Sequence, residues 1–309
     1  NTLAIIPIIS TLHHPRSTEA ATKYFLTQAA ASATILFSSM INAWNTGTWD
    51  ITQMSYAPSN TLLSLALALK LGLAPAHFWL PEVLQGSTLF TAFIIATWQK
   101  LAPMSLIYMT MNNLPSTILL MLGLISSTIG GWSGLNQTQT RKIMAYSSIA
   151  HLGWMAMIAS IMSNIMIMNL LVYLMMTTAL FLSLIYSKSK TIQDTATTWT
   201  TSPTLAIIMM LTLLSLGGLP PLTGFLPKWL VLEELIMQNL IPMATAMAMS
   251  ALLSLFFYLR LTYTTTLTLP PNTLQMKFKW RFKPTMPFMI MILSTLAILM
   301  LPLTPLILL

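Results

Sequence analysis

The sequence predicts an all-α integral membrane protein, a polytopic helix bundle in a single membrane domain. Of its 309 residues, 55% are hydrophobic and the mean hydropathy is +0.75. Only 6% are charged, against roughly 25% in soluble proteins. Apolar runs recur along the whole chain, and each is long enough to provide the ~20 residues that a transmembrane helix needs. A soluble globular fold is therefore excluded.

The apolar runs predict a remnant helix and nine further spans. The remnant covers 1–12, and the spans lie near 18–43, 57–84, 87–111, 115–135, 142–163, 165–187, 203–238, 240–262 and 285–307. Two of them, 57–84 and 203–238, contain too many internal Gly and Pro residues to be continuous helices. The chain starts inside an apolar run without an initiator Met, so we expect its natural N-terminus to be missing.

The basic loop residues predict the orientation of these spans. With nine spans, the loop Lys and Arg residues all fall on one side of the membrane: Arg16, Arg141, Lys142, Lys188, Lys190, Lys277, Lys279, Arg281 and Lys283. The positive-inside rule places that side in the compartment of synthesis. Lys23 and Arg260 lie near the same helix ends and can extend to the same surface. The net charge of +8 is thus explained by the topology. The sequence shows no basic surface with interleaved aromatic residues of the kind that binds nucleic acid.

The two broken segments share a motif that predicts an inverted repeat. Both read G-L-x-P-x-x-x-x-L-P, starting at Gly72 and at Gly218, 146 positions apart. Four spans lie between the segments, so the period is five helices, and an odd period inverts the second unit. The predicted organisation is 1–112 as a partial first unit, 113–262 as the second, and 263–309 as a basic loop with a C-terminal helix. Chance matching of common membrane residues is the alternative.

Three lysines, Lys70, Lys100 and Lys228, lie deep inside apolar stretches and are the leading functional candidates. An ammonium group in hydrocarbon costs several kcal/mol unless it is paired, hydrated or deprotonated, so intramembrane lysines usually mark an ion or proton pathway. A helix break beside a lysine also requires protein or water to satisfy the freed backbone groups. The alternative is that carbonyl groups simply satisfy these lysines.

Other polar residues form a second tier. His77 lies next to the first break and His151 inside a span, and either is a relay candidate or a hydrogen-bonded core residue. Two roles are open to Tyr146, Ser147 and Ser148: hydrogen bonding to a chain of water molecules, or packing between helices. The carboxylates are interpreted as a helix-end pair of Glu19 with Lys23, a rim residue at Glu82, and surface residues at Glu233 and Glu234.

Several kinds of site are excluded by the sequence. The absence of cysteine rules out disulfides, thiolate zinc sites and iron–sulfur ligation within this chain. No dinucleotide-binding, phosphate-loop or metal-ligand motif occurs. We therefore predict no cofactor and no metal in this chain.

Four stretches resemble one known family. They are LKLGLAPAHFWLPEVLQG (69–86), TWQKLAP (97–103), LNQTQTRKIMAYSSIAHLGWM (135–155) and LSLGGLPPLTGFLPKW (214–229). They are similar to the antiporter-like membrane subunits of respiratory complex I, the proton-pumping NADH:ubiquinone oxidoreductase. PRSTEAATKYFLTQA (15–29) and SLFFYLRL (254–261) fit the vertebrate mitochondrial form. The mitochondrial genetic code, in which an Ile codon reads as Met, would then explain the 25 methionines.

The resemblance implies a function. Such a subunit lies in the mitochondrial inner membrane and carries one proton channel built from two inverted five-helix units. NADH, FMN, iron–sulfur clusters and ubiquinone are bound by other subunits. Lys70 and Lys228 match the lysines of the two broken helices, and Lys100 matches the central lysine. A glutamate partner for Lys70 is expected upstream of Asn1. Partners would be other membrane-arm subunits, neighbouring antiporter-like subunits, and lipids such as cardiolipin.

Two other functions remain open from the sequence. The same motifs occur in subunits of multi-subunit cation/proton antiporters, which would exchange cations without redox activity in the assembly. A purely structural role in the membrane arm would leave pumping intact when Lys70 or Lys228 is replaced.

Overall fold

A computed structural model describes residues 2–11, 14–266 and 288–305. They form fifteen α-helices and two short 3-10 turns, at Ile51–Gln53 and Leu301–Leu303. No β-strand occurs in these ranges, so the all-α prediction is confirmed. The helices are α1 Thr2–Ser10, α2 Pro15–Thr46, α3 Ala57–Leu71, α4 Trp79–Gly86, α5 Leu89–Ala96, α6 Trp98–Thr110, α7 Ser116–Gly134, α8 Thr140–Ala159, α9 Ser163–Ser187, α10 Ile192–Ala196, α11 Thr198–Thr201, α12 Pro203–Gly217, α13 Phe225–Met237, α14 Ile241–Thr266 and α15 Phe288–Leu299.

Five segments of this bundle are long and apolar enough to cross a membrane. They are α2, the α5–α6 segment Leu89–Thr110, α7, α9 and α14. The other four predicted spans comprise the two broken segments, α8 with its 20 residues, and α15 with 12. The polytopic helical architecture is therefore confirmed. The predicted basic loop, with Lys277, Lys279, Arg281 and Lys283, lies outside the described residues.

Both predicted helix breaks are present. α3 ends at Leu71 and the chain resumes as α4 at Trp79, while α12 ends at Gly217 and α13 begins at Phe225. Each first half-helix has 15 residues and is stopped by a glycine in the left-handed region, Gly72 (φ 77°) and Gly218 (φ 80°). Glycine adopts this conformation without the steric cost that a side chain imposes. The pseudo-twofold relation of the two units stays a prediction.

The predicted span at 87–111 is present as Leu89–Thr110. It is interrupted at Thr97 (φ −111°, ψ −69°), which separates α5 from α6. The Thr97 hydroxyl donates to the carbonyl of Phe93 at 2.8 Å, and its backbone N–H donates to the same carbonyl at 3.0 Å. Thr177 makes the same side-chain bond inside the unbroken α9, so this bond accompanies the interruption and does not explain it. Lys100 therefore lies in the first turn of α6 and near the middle of the Leu89–Thr110 span.

The connections between helices fall into two groups, one on each side of the bundle. Contacts occur within each group. On one side, the backbones of Thr138 and Thr140 pair with those of Ile192 and Lys190. Arg141 joins the same side by donating to the carbonyl of Ser87. On the other side, the Asn113 side chain donates to the Thr52 carbonyl at 2.7 Å. This grouping matches the alternation of loops that the basic residues predicted.

The centre of the bundle is α8. All its residues from Ser147 to Ala159 are buried. Its Gly153 crosses α7 at Gly123, where a Cβ on Gly123 would lie 2.9 Å from the Gly153 carbonyl oxygen. Small residues let membrane helices approach this closely. The crossing fixes α8, and with it His151, in the middle of the protein.

Candidate functional site

The two broken helices end in the same way. At each end the N–H of the left-handed glycine donates back into the last turn: Gly72 to Ala68 at 2.9 Å and Gly218 to Ser215 at 2.9 Å. The carbonyls just before these glycines, on Leu71 and Gly217, stand at the C-terminal end of a half-helix. The helix dipole makes such an end electronegative, so it attracts cations.

Lys100 occupies the first of these ends. Its side chain is 1% exposed, and its Nζ donates to the Leu71 carbonyl oxygen at 2.5 Å. The Nζ also lies 5.7 Å from the centroid of the Trp79 ring, within the range of a cation–π interaction. Among the described residues, only Lys23 forms ion pairs, so no carboxylate neutralises Lys100 there. A carbonyl and a ring face thus stabilise this ammonium group.

Lys228 occupies the second end. Its Nζ donates to the Gly217 carbonyl oxygen at 2.9 Å. A Cβ on Gly218 would lie 2.9 Å from Lys228 Cδ and 3.0 Å from its Nζ, so a side chain here would displace the end of the lysine. Lys100 and Lys228 therefore make equivalent contacts on the two half-helices. The family resemblance instead matched Lys70 and Lys228 to the lysines of the two broken helices.

Lys70 differs from the other two lysines. It lies in the last turn of α3, two residues before the break, and is only partly buried. Its carbonyl accepts a long hydrogen bond of 3.4 Å from Gln28 Nε2. Its Nζ has no hydrogen-bond or ion-pair partner in the described part of the chain.

His151 lies between two buried tyrosines. The Tyr258 hydroxyl is 3.3 Å from His151 Nε2, and the ring centroids of Tyr173 and Tyr258 lie 5.7 and 6.5 Å from that of the histidine. Tyr173 and Tyr258 are 0% and 1% exposed. Of the two alternatives for His151, the hydrogen-bonded core residue fits this arrangement. Neither tyrosine carries a signal in the sequence.

The tyrosines extend this cluster toward both lysines. The Tyr173 hydroxyl donates to the Ala96 carbonyl at 3.0 Å, at the end of α5 and just before the helix of Lys100. Tyr258 packs beside Gly217, where an added Cβ would lie 3.9 Å from the tyrosine Cβ. Gly217 is the residue whose carbonyl binds Lys228. The cluster Tyr173–His151–Tyr258, which we call the tyrosine–histidine cluster, thus adjoins both half-helix sites.

Ser147 and Ser148 support that cluster. Ser148 lies near the Tyr173 hydroxyl, and Ser147 lies near that of Tyr258. Each serine hydroxyl also donates within α8, to the carbonyls of Met144 and Ala145. Tyr146, proposed with them, is only partly buried.

A second group of polar side chains lies between α2 and the helices around Lys100. The Tyr24 hydroxyl donates to Gln99 Oε1 at 3.2 Å, and Trp79 Nε1 donates to the Leu69 carbonyl at 3.1 Å. Gln28 and Gln99 are polar residues inside apolar spans, and this signal could have identified them from the sequence. Gln99 Nε2 is buried and has no partner among the described residues.

His77 lies in the first break, between α3 and α4. Its side chain is 5% exposed, and its ring centroid is 4.3 Å from that of Phe78. His77 Nδ1 is buried without a partner in the described ranges. The structure places His77 near the end of α3. None of the contacts described for it involves the tyrosine–histidine cluster.

The remaining carboxylates lie toward the surface. Lys23 Nζ contacts Glu19 at 2.5 Å, as predicted, and also Glu82 at 2.6 Å on α4. These side chains are 40–60% exposed, and exposed pairs contribute little to stability. Glu233 is exposed and Glu234 partly buried, in keeping with the surface positions expected for them. No group of three or more His, Asp or Glu side chains that could hold a metal occurs in the ranges described.

Two family descriptions match the chain. Residues 1–254 match the membrane domain described as NADH:quinone oxidoreductase/Mrp antiporter, and residues 255–308 match the NADH dehydrogenase subunit 2 C-terminus. Relatives named NADH-ubiquinone oxidoreductase chain 2 include one from Polypterus ornatipinnis, 56% identical over 99% of this chain and 88% of the relative. Another, from Gallus gallus, is 55% identical over 99% of this chain and 89% of the relative.

Solved structures show the same architecture. A chain of respiratory complex I from Thermus thermophilus with bound Aureothin superposes with a TM-score of 0.84 at 26% identity, over 98% of this chain and 72% of that one. A chain of the Mrp complex from Dietzia sp. DQ12-45-1b shares the fold alone, with a TM-score of 0.73 at 20% identity over 84% of this chain and 52% of that one. The chain therefore belongs to the family of NADH-ubiquinone oxidoreductase chain 2, the antiporter-like membrane subunits of respiratory complex I.

Proposed function

We propose that this chain translocates protons across the mitochondrial inner membrane, driven by quinone reduction in other subunits of the complex. Lys70 is the loading residue, Lys100 the relay, and Lys228 the exit-side residue. The observation that carries the proposal is the equivalent placement of Lys100 and Lys228, each on the terminal carbonyl of a broken half-helix without a carboxylate partner among the described residues. Removal from water favours release of the proton and the carbonyl contact favours keeping it, so a lysine held this way can exchange its proton.

The tyrosine–histidine cluster supplies the path between the two lysines. Its members carry groups that can both donate and accept a hydrogen bond. Buried polar atoms that lack a protein partner, among them His77 Nδ1 and Gln99 Nε2, are ordinarily satisfied by water. These atoms support a hydrated route with His77 and His151 as secondary members.

The partners follow from the family. Other membrane-arm subunits of complex I would flank this chain, including neighbouring antiporter-like subunits, together with lipids such as cardiolipin. NADH, FMN, iron–sulfur clusters and ubiquinone would be bound by those other subunits. The relatives at 55–56% identity favour this reading over a cation/proton antiporter subunit, for which the Mrp likeness supports the fold alone.

Tyr258→Phe tests the path at the cluster. The change keeps the ring but removes the hydroxyl that meets His151, and one hydrogen bond is worth about 1 kcal/mol, roughly fivefold in rate. We expect a severalfold slower proton translocation by the assembled complex in sealed proteoliposomes. Tyr263→Phe is the matched control, since Tyr263 lies on the same helix but is 56% exposed. Equal rates in the two variants would remove the cluster from the path.

The orientation is tested by labelling. Because the chain has no cysteine, Lys188→Cys and Asn112→Cys each introduce a unique thiol on this chain, in loops on opposite sides of the bundle. In sealed inner membranes treated with an impermeant maleimide from the intermembrane side, we expect Asn112→Cys to be labelled. Lys188→Cys should react only after the membrane is opened, because its basic loop faces the matrix. The reverse pattern would contradict the predicted topology.

A further inference from the structure

The end of α7 supports α8 beside His151. A Cβ added to Gly130 of α7 would lie 2.7 Å from the backbone nitrogen of Ala150, the residue before His151. Small residues let membrane helices approach this closely. Because the two backbones are in contact at this point, α7 sets the position of the part of α8 that carries the histidine.

One turn farther along, the same helix supports α14. A Cβ added to Gly134 would lie 2.9 Å from Cδ1 of Phe257, whose side chain is 0% exposed. Phe257 directly precedes Tyr258, whose hydroxyl meets His151. The end of α7 is therefore the common support of the two helices that carry this hydrogen-bonded pair.

Arg260 connects α14 to the same support by hydrogen bonds. Its Nη1 donates to the Leu135 carbonyl oxygen at 2.5 Å, and its Nη2 donates to the carbonyl oxygen of Gln137. Both carbonyls lie in the connection from α7 to α8. A guanidinium presents its donors in a rigid planar geometry, and hydrogen bonds from a charged donor are stronger than neutral ones. Close packing fixes the distance between the helices, and Arg260 fixes how far α14 can slide along them.

The hydrogen bond between Tyr258 and His151 is sensitive to such sliding. The hydroxyl lies 3.3 Å from Nε2, at the long end of the hydrogen-bond range, and a further separation of about 0.3 Å would leave that range. We propose that Arg260 is a positioning residue, which holds α14 in the register that brings the Tyr258 hydroxyl to His151. Its importance for proton transfer rests on the proposed path through the tyrosine–histidine cluster.

The position of Tyr258 is tested directly by cryo-electron microscopy of the assembled Arg260→Gln complex. Glutamine is uncharged and lacks the fork that binds two carbonyls at once. We expect the distance from the Tyr258 hydroxyl to His151 Nε2 to lengthen beyond hydrogen-bond range. Arg16→Gln is the matched control, since it makes the same change in an exposed arginine on the same side of the bundle and should leave the distance as it is. An unchanged distance in Arg260→Gln would overturn the proposal.

A double-mutant cycle connects this position to translocation. Arg260→Gln, Tyr258→Phe and the double variant are compared in the assembled complex in sealed proteoliposomes. If Arg260 acts by placing the tyrosine hydroxyl, Arg260→Gln should slow translocation severalfold on its own, but less than about twofold when the hydroxyl is already absent. Slowing by the same factor in both backgrounds would indicate a general structural role and would contradict the positioning role.

The two measurements also separate this proposal from the proposed function. A lengthened distance in Arg260→Gln, together with normal translocation in Tyr258→Phe, would remove the cluster from the proton path but leave Arg260 as the residue that positions Tyr258. Arg260→Lys keeps the charge and replaces the planar fork by one ammonium group, so we expect a smaller change in both measurements. If Arg260→Gln does not assemble, the distance and the cycle are measured with Arg260→Lys, and an unchanged distance there would overturn the proposal.

Discussion

Replacing Lys100 by Met is expected to stop proton translocation while the complex still assembles. Methionine keeps the length and apolar packing of the buried side chain but cannot carry a proton. It leaves the Leu71 carbonyl without its partner, at a cost of about 1–3 kcal/mol that the removal of a buried charge partly offsets. Loss of a positioned proton-transfer group typically slows the step by about 100-fold or more.

The measurement is the rate of proton translocation, and of NADH oxidation, by purified complex in sealed proteoliposomes. If coupling is tight, NADH oxidation falls with translocation. Lys142→Met serves as the control, because it makes the same change in a partly buried lysine of the basic loop region. An assembled Lys100→Met complex that pumped at the normal rate and proton-to-electron ratio would show that this lysine is no relay.

Gly218→Ala is expected to displace Lys228 from the end of the second half-helix, because it adds a methyl group to the turn. A left-handed alanine costs about 1–2 kcal/mol, and its Cβ would lie 2.9 Å from Lys228 Cδ. The lysine would have to move away from the Gly217 carbonyl that holds it. We therefore expect a large loss of translocation, well beyond the effect of backbone strain alone.

A second glycine separates strain from contact. Gly47 ends α2 with φ 73°, and a Cβ added there would meet nothing within 4 Å. Gly47→Ala therefore imposes the same left-handed strain without touching a lysine, and should leave translocation near normal. Thermal stability and translocation are measured for both variants in the assembled complex. Similar translocation in the two would mean that Gly218 matters only for the turn.

The breaks could be predicted from the sequence because their cause is local. Glycine and proline in an apolar run do not sustain a helix, and the repeated motif around Gly72 and Gly218 marked both positions. Lys100 and Lys228 were also visible, since a lysine in an apolar stretch is unusual whatever its surroundings. The polytopic helical class could also be predicted, because composition and loop charge do not depend on tertiary packing.

The contacts inside the site depend on tertiary packing and were not visible. Tyr173 and Tyr258 resemble ordinary core aromatics in sequence, and only the crossing of α8, α9 and α14 brings them to His151. The match of Lys100 with Lys228 likewise requires the end of α3 to meet α6. The interruption at Thr97 could not be predicted from that residue, because other threonines that donate to the carbonyl four residues back, such as Thr177, lie in unbroken helices.

Lys228→Arg, compared with Lys228→Met, tests most directly whether these lysines act by exchanging a proton. Arginine keeps the positive charge on the half-helix end but stays protonated under all conditions of turnover. Lys228 is only partly buried, which favours accommodation of the larger group. The measurement is protons translocated per NADH oxidised by the assembled complex in sealed proteoliposomes. The proposal predicts that both variants assemble and that Arg pumps as poorly as Met. Normal pumping by Lys228→Arg would contradict it and leave Lys228 as a fixed charge that stabilises the broken helix.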